Sequence, residues 1–118
     1  TMVDVAEPVA RSMFPKPEQA ELRRIALERI ASNPKKQYRS ILSAVVRFNA
    51  LPHLGQIKCP VLIVAGERDL TVLLPPKREL HHKLPGSEFV LISDSGHATP
   101  VDQPEKFNEA LLDFIGRN

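Results

Sequence analysis

Cysteine is almost missing from this chain: Cys59 stands alone in 118 residues. No internal disulfide can staple the fold, and a lone thiol fits a reducing compartment. Tryptophan is absent and Tyr38 is the only tyrosine. Without a basic stripe interleaved with aromatics, nothing points to a nucleic-acid surface. No run of about 18 apolar residues occurs, so no membrane-spanning helix is expected. No secretory leader pattern stands at the N-terminus. The expectation is a cytoplasmic protein with neither nucleic acid nor membrane as a partner. Charge is balanced as well: 16 Lys and Arg face 14 Asp and Glu, interspersed, for a net charge of +2. Also missing is any G-x-S-x-G, the strand–sharp turn–helix motif that presents a nucleophilic serine.

What the chain has in quantity is proline, 11 of them. They fall at segment borders, where proline punctuates and does not disrupt. Residues 1–16 are weakly patterned. Pro17-Glu18 opens a helical stretch in which Leu22, Ile25, Ala26 and Ile30 recur at helical spacing. Asn33-Pro34 reads as a cap and first-turn proline for a second amphipathic helix carrying Tyr38, Ile41, Leu42, Val45 and Val46. A connector with Pro52 and Gly55 follows. Then Val61-Leu62-Ile63-Val64 runs without alternation, the pattern of a strand covered on both faces and usually parallel. A helix with Arg78, Leu80, His81 and Leu84 stops at Pro85-Gly86. Residues 88–92 form the next strand. Gln103-Pro104-Glu105 opens a last helix with Phe107, Ala110, Leu111, Phe114 and Ile115 on one face and Gly116 as its stop. The predicted class is α/β, with residues 1–55 holding helices and connector and residues 56–118 a βαβα unit with a right-handed crossover.

Two residues carry the chemistry. Asp69 stands just past the first strand and His97 just past the second. The ends of parallel strands are where open α/β sheets place reactive groups. A carboxylate there can accept the Nδ1 proton of an imidazole, fixing its tautomer while Nε2 takes a proton from a nucleophile. The 28 residues between them equal one helix plus one strand, as adjacent strands require. Either residue alone would read as a loop or cap residue; their joint placement favours the catalytic reading. None of the serines (Ser12, Ser32, Ser40, Ser43, Ser87, Ser93 and Ser95) lies in a strand–sharp turn–helix context with flanking glycines, and Ser95, two residues from His97, is too local to be presented across a sheet. His53, His81 and His82 could suggest a metal, but adjacent helical histidines diverge by about 100° and no ligand pattern supports them. No metal and no cofactor is expected. Cys59 lies at the wrong end of its strand for chemistry and is read as a buried structural thiol.

The stretch CPVLIVAGERD followed by KLPGSEFVLISDSGHATPVDQPEKFNEALLDFI closely resembles the C-terminal part of α/β-hydrolase-fold enzymes, in the lactonase, esterase and haloperoxidase-like group. Gly66-Glu67-Arg68-Asp69 matches the family's acid context, Gly96-His97 its histidine context. Asp102-Gln103-Pro104 matches its lead into the final helix, with Asp where Glu is more usual. Residues 17–55 resemble lid helices. The resemblance implies Asp69 and His97 as acid and histidine of a Ser (or Asp)-His-Asp triad, and an ester, lactone or related small carbonyl compound as substrate. It also implies that the nucleophile and oxyanion hole belong to sequence preceding Thr1, so that this chain by itself is inactive. A non-catalytic association module derived from the same fold is the alternative. A strand lacking one neighbour leaves unpaired backbone groups that recruit another chain. A homo-oligomer is therefore expected, most simply a two-fold dimer, through the edge of residues 61–64 or the apolar positions of residues 38–48.

Overall fold

The computed structural model describes all residues from Thr1 to Asn118, which divide into two compact units, Thr1–Ala50 and Leu51–Asn118. The first unit is wholly helical, with α1 over Met2–Met13, α2 over Ala20–Ala31 and α3 over Lys35–Arg47. Helix α1 is an element that the weak pattern of residues 1–16 did not announce. Its buried stripe is Ala6, Ala10 and Phe14, spaced by four, with Pro8 lying inside the helix. Met2, Ala6, Val9, Ala10 and Met13 recur at helical spacing on its packed side, but Pro8 among them reads as a break; small side chains let α1 lie close against α2. Thr1 and Asp4 form a capping box at its start.

Pro17–Gln19 makes a single 3₁₀ turn leading into α2, as the proline and early acid suggested. Within α2, Leu22, Ala26 and Ile30 are half-buried, but Ile25 is exposed, so the packed face is narrower than the apolar spacing implied. Asn33 also departs from expectation. Its side-chain amide donates to the carbonyls of Arg29 and Ile30 at 2.8 and 3.1 Å, closing the C-terminus of α2, and it does not cap α3. Carbonyls of a last helical turn lack i+4 backbone donors, and here the amide adds to the Ser32 hydroxyl on Arg29 O and the Asn33 N–H on Ile30 O. Helix α3 buries none of its residues: Ile41, Leu42, Val45 and Val46 are exposed, as is Phe48 just beyond it.

The second unit is the α/β unit. A 3₁₀ segment, Leu51–Gln56, buries Leu54 and precedes β1, Leu62–Gly66. Then come α4 (Leu74–Lys83), β2 (Glu88–Ile92), the short α5 (Thr99–Asp102) and α6 (Pro104–Arg117). Strands β1 and β2 pair in parallel, Leu62 opposite Glu88 through Gly66 opposite Ile92. A parallel pair needs a crossover, and α4 supplies it. The sheet has two strands, so β1 is paired on one side only. Val61 before it and its residues 62–64 are half-buried and not covered on both faces, while Ala65 and Gly66 at its C-terminal end are buried. The best-packed part of β1 is thus the end that leads into the Asp69 turn. Leu84 is buried after α4, and Gly86 takes a left-handed φ of 86°, which glycine adopts without a Cβ clash. In α6, Phe107, Ala110, Leu111 and Phe114 are half-buried, whereas Ile115 is exposed and the helix continues through Gly116 to Arg117. Cys59 is exposed: it precedes β1, outside the covered part of the strand, so it is not a core thiol.

Candidate active site

The C-terminal ends of β1 and β2 are bound to one another by their loops. The Glu67 N–H donates to Ile92 O at 3.0 Å and the Arg68 N–H to Ser95 O at 2.8 Å, extending the parallel ladder past the strands. Gly66 makes the approach possible. A Cβ there would lie 2.1 Å from Gly96 O and 2.6 Å from Ser95 O, so only glycine fits between the strand end and the histidine loop. Asp94 adopts φ 56°, a left-handed conformation that aspartate tolerates better than most residues. Its N–H donates to Glu67 Oε2 at 3.1 Å, and its carboxylate pairs with Arg68 at 2.8 Å. The Gly96 N–H donates to Asp102 Oδ2 at 2.7 Å, so the short α5 reaches back and holds the residue before His97. Ser95, within this loop, is fully buried.

This scaffold brings Asp69 and His97 together. His97 Nδ1 lies 3.0 Å from Asp69 Oδ2. The Asp69 side chain is 3% exposed and that of His97 35%. Asp69 Oδ1 accepts the backbone N–H groups of Thr71 at 2.8 Å and Val72 at 3.0 Å, the local turn that aspartate favours. Lys77, one turn into α4, donates to Asp69 Oδ2 at 2.5 Å. Burial opposes ionisation of Asp69, but the lysine, the Val72 amide, the imidazole and the Thr71 amide together outweigh it. The carboxyl is held down to about 2. An ionised carboxylate only accepts hydrogen bonds, so Nδ1 of His97 carries the proton and Nε2 of the neutral ring is left as the basic nitrogen.

Sequence reasoning found the two ends of this arrangement but not its middle. Lys77 carries no motif; it reaches Asp69 because the turn after Asp69 folds α4 back over the strand end. The other residues considered from sequence have structural roles or stand elsewhere. His81 Nδ1 is 2.8 Å from Ser87 Oγ and its ring lies 5.5 Å from that of Phe89, so it is a packing residue of α4 and β2. His53 lies 3.5 Å from the Gln56 side chain. No group of three or more His, Cys, Asp or Glu side chains is gathered as a metal site. No helix is long and apolar enough to cross a membrane.

Comparison with known proteins agrees with this architecture. No family model matches the chain. It is 39% identical over 74 residues, 63% of its length, to an Escherichia coli protein that carries the name "Putative carbamate hydrolase RutD"; the match spans 28% of that protein. Among solved structures, a bromoperoxidase from Bacillus anthracis superposes with a TM-score of 0.86 at 22% identity, over 97% of this chain and 44% of that one. An enol-lactonase from Burkholderia xenovorans does so at 0.82 and 24% identity, over 98% and 45%. The chain therefore has the fold of the C-terminal part of the α/β hydrolases, and its sequence relatives are hydrolases. It spans about a quarter of the length of the curated relatives it matches and less than half of the structural neighbours.

Proposed function

We propose that this chain is the acid-and-histidine part of an α/β-hydrolase that cleaves an ester, lactone or related small carbonyl substrate. The observation that carries the reading is the 3.0 Å pair between His97 Nδ1 and the buried Asp69 carboxylate at the ends of adjacent parallel strands. The carbamate hydrolase and enol-lactonase names of its relatives support carbonyl hydrolysis as the reaction class. In this mechanism Nε2 of His97 takes the proton from a serine or water attacking the carbonyl carbon and returns it to the leaving group. Asp69 orients the ring and stabilises the imidazolium without itself taking the proton. With an aspartate nucleophile, which displaces a leaving group from an alkyl carbon, His97 activates the water that cleaves the resulting ester intermediate. The nucleophile and oxyanion-hole donors come from sequence outside residues 1–118.

Nucleophile and oxyanion hole supply most of the acceleration in acyl transfer, and an imidazole–carboxylate pair alone supplies little. The purified chain should therefore release p-nitrophenol from p-nitrophenyl acetate without saturation. A saturable burst lost in His97→Ala would overturn the division of labour. In a longer form carrying a G-x-S-x-G or corresponding aspartate elbow, His97→Ala should lower kcat by at least about a thousandfold. An unchanged kcat there would refute the assignment of His97.

The exposed apolar positions of α3 and its C-cap, with Val46 and Phe48 both 78% exposed, and the one-sided pairing of β1 favour self-association of the chain by itself. A two-fold dimer that pairs β1 with its copy, or that buries the α3 face, removes unpaired strand groups or apolar area from water. Sedimentation equilibrium at micromolar concentration tests this: a dimer is expected, and a stable monomer of 13.2 kDa overturns it.

A further inference from the structure

Asp69 Oδ2 is shared by two donors. Lys77 Nζ lies 2.5 Å away and His97 Nδ1 3.0 Å away, while Oδ1 is occupied by the Thr71 and Val72 amides. The lysine is no solvated surface charge: its side chain is 16% exposed and that of Asp69 3%. We propose that Lys77 is a positioning residue of the His97 site, clamping the carboxylate oxygen that faces the imidazole and opposing, as a fixed positive charge, the further charge of a protonated ring. The proposal deepens the reading of Asp69 and His97 as a catalytic pair and rests on it. A carboxylate facing the imidazole alone strongly favours imidazolium. A carboxylate already paired with an ammonium favours it less.

The neighbouring charged groups have other partners. Asp102 accepts the Gly96 N–H, Arg68 pairs with Asp94, and Glu67 accepts the Asp94 N–H. On α4, the Arg78 guanidinium lies 5.6 Å from the centre of the Phe89 ring, and from α6 Lys106 reaches Ser93. Lys77 is the cation that bonds the Asp69 carboxylate beside His97.

The test is a pH titration of the purified chain by NMR. It follows the His97 ring Cε1–H, identified by its loss in His97→Ala, and the Asp69 side-chain carbon. Lys77→Met should raise the His97 midpoint by about one pH unit, a tenfold change in proton affinity, and raise that of Asp69 above its value of about 2. Lys77→Arg, which restores the charge, should return the His97 midpoint most of the way. Asp69→Asn should lower it. Should Lys77→Met fail to fold, Lys77→Gln, uncharged but still a donor, carries the same readout. A His97 midpoint unmoved by loss of the lysine charge, with Asp69→Asn still shifting it, overturns the role of Lys77 and spares the pair. If neither substitution moves it, the pair and the proposed function fall together.

Discussion

The two units of this chain differ in what holds them. In the first, Ala6, Ala10 and Phe14 form a small stripe between α1 and α2, and α3 exposes Ile41, Val45 and Val46. In the second, backbone hydrogen bonds join the ends of two parallel strands, and Gly66 lies against the carbonyls of Ser95 and Gly96 with no room for a methyl group. The first unit rests on apolar area, which changes gradually with substitution. The second rests at its Asp69–His97 end on close backbone approach, which either fits or does not. Chemistry needs the second kind of support, because an imidazole and a carboxylate must meet within tenths of an ångström.

The largest effect should come from Gly66→Ala. Its Cβ would meet Gly96 O at 2.1 Å, and backbone on both sides must move. We expect a loss of at least about 4 kcal/mol in urea unfolding of the second unit, together with loss of the His97–Asp69 pairing in NMR titration. A loss below about 1 kcal/mol would mean that the loops are not held as described.

Next, Phe14→Ala should cost about 3 kcal/mol by cavity formation, and it should loosen the first unit first. Hydrogen exchange reads the contrast: amides of residues 1–31 should exchange faster while those of residues 62–66 and 88–92 keep their protection. Uniform loss of protection would show that the two units unfold together.

Acid supplies the third comparison. Asp69 in the folded chain is held down to about 2, below its ordinary 3.8. A depressed folded value means that its contribution is fully present above about pH 4 and is lost as pH falls through about 2. That contribution is about 2 kcal/mol for a side chain only 3% exposed. Thermal unfolding between pH 5 and 2 should therefore show a fall that is flattened in Asp69→Asn. Equal slopes in the two proteins would place the acid sensitivity elsewhere.

The smallest effect belongs to α3. Val46 is 78% exposed, so Val46→Ser should change stability by less than about 0.5 kcal/mol while weakening self-association in sedimentation. A large loss of stability would mean that the α3 face is covered in solution within one chain.

The sequence by itself determined the α/β class, the parallel strands at residues 61–66 and 88–92, and the placement of Asp69 and His97. Strand runs and strand-end residues are local signals, and a separation of one helix plus one strand forces two such ends to be neighbours. It did not determine α1, where Pro8 interrupts an otherwise helical spacing of apolar residues and reads as a break. Nor did it reveal which side of α2 is packed, since Ile25 fits the apolar spacing and stays exposed. Only the tertiary structure decided that Lys77 shares the carboxylate of Asp69, that Asp102 holds the Gly96 N–H, and that Gly66 must lack a side chain. Each is a meeting of groups from different elements. Such meetings depend on how α4 and α5 fold back on the strand ends, which no window of sequence encodes.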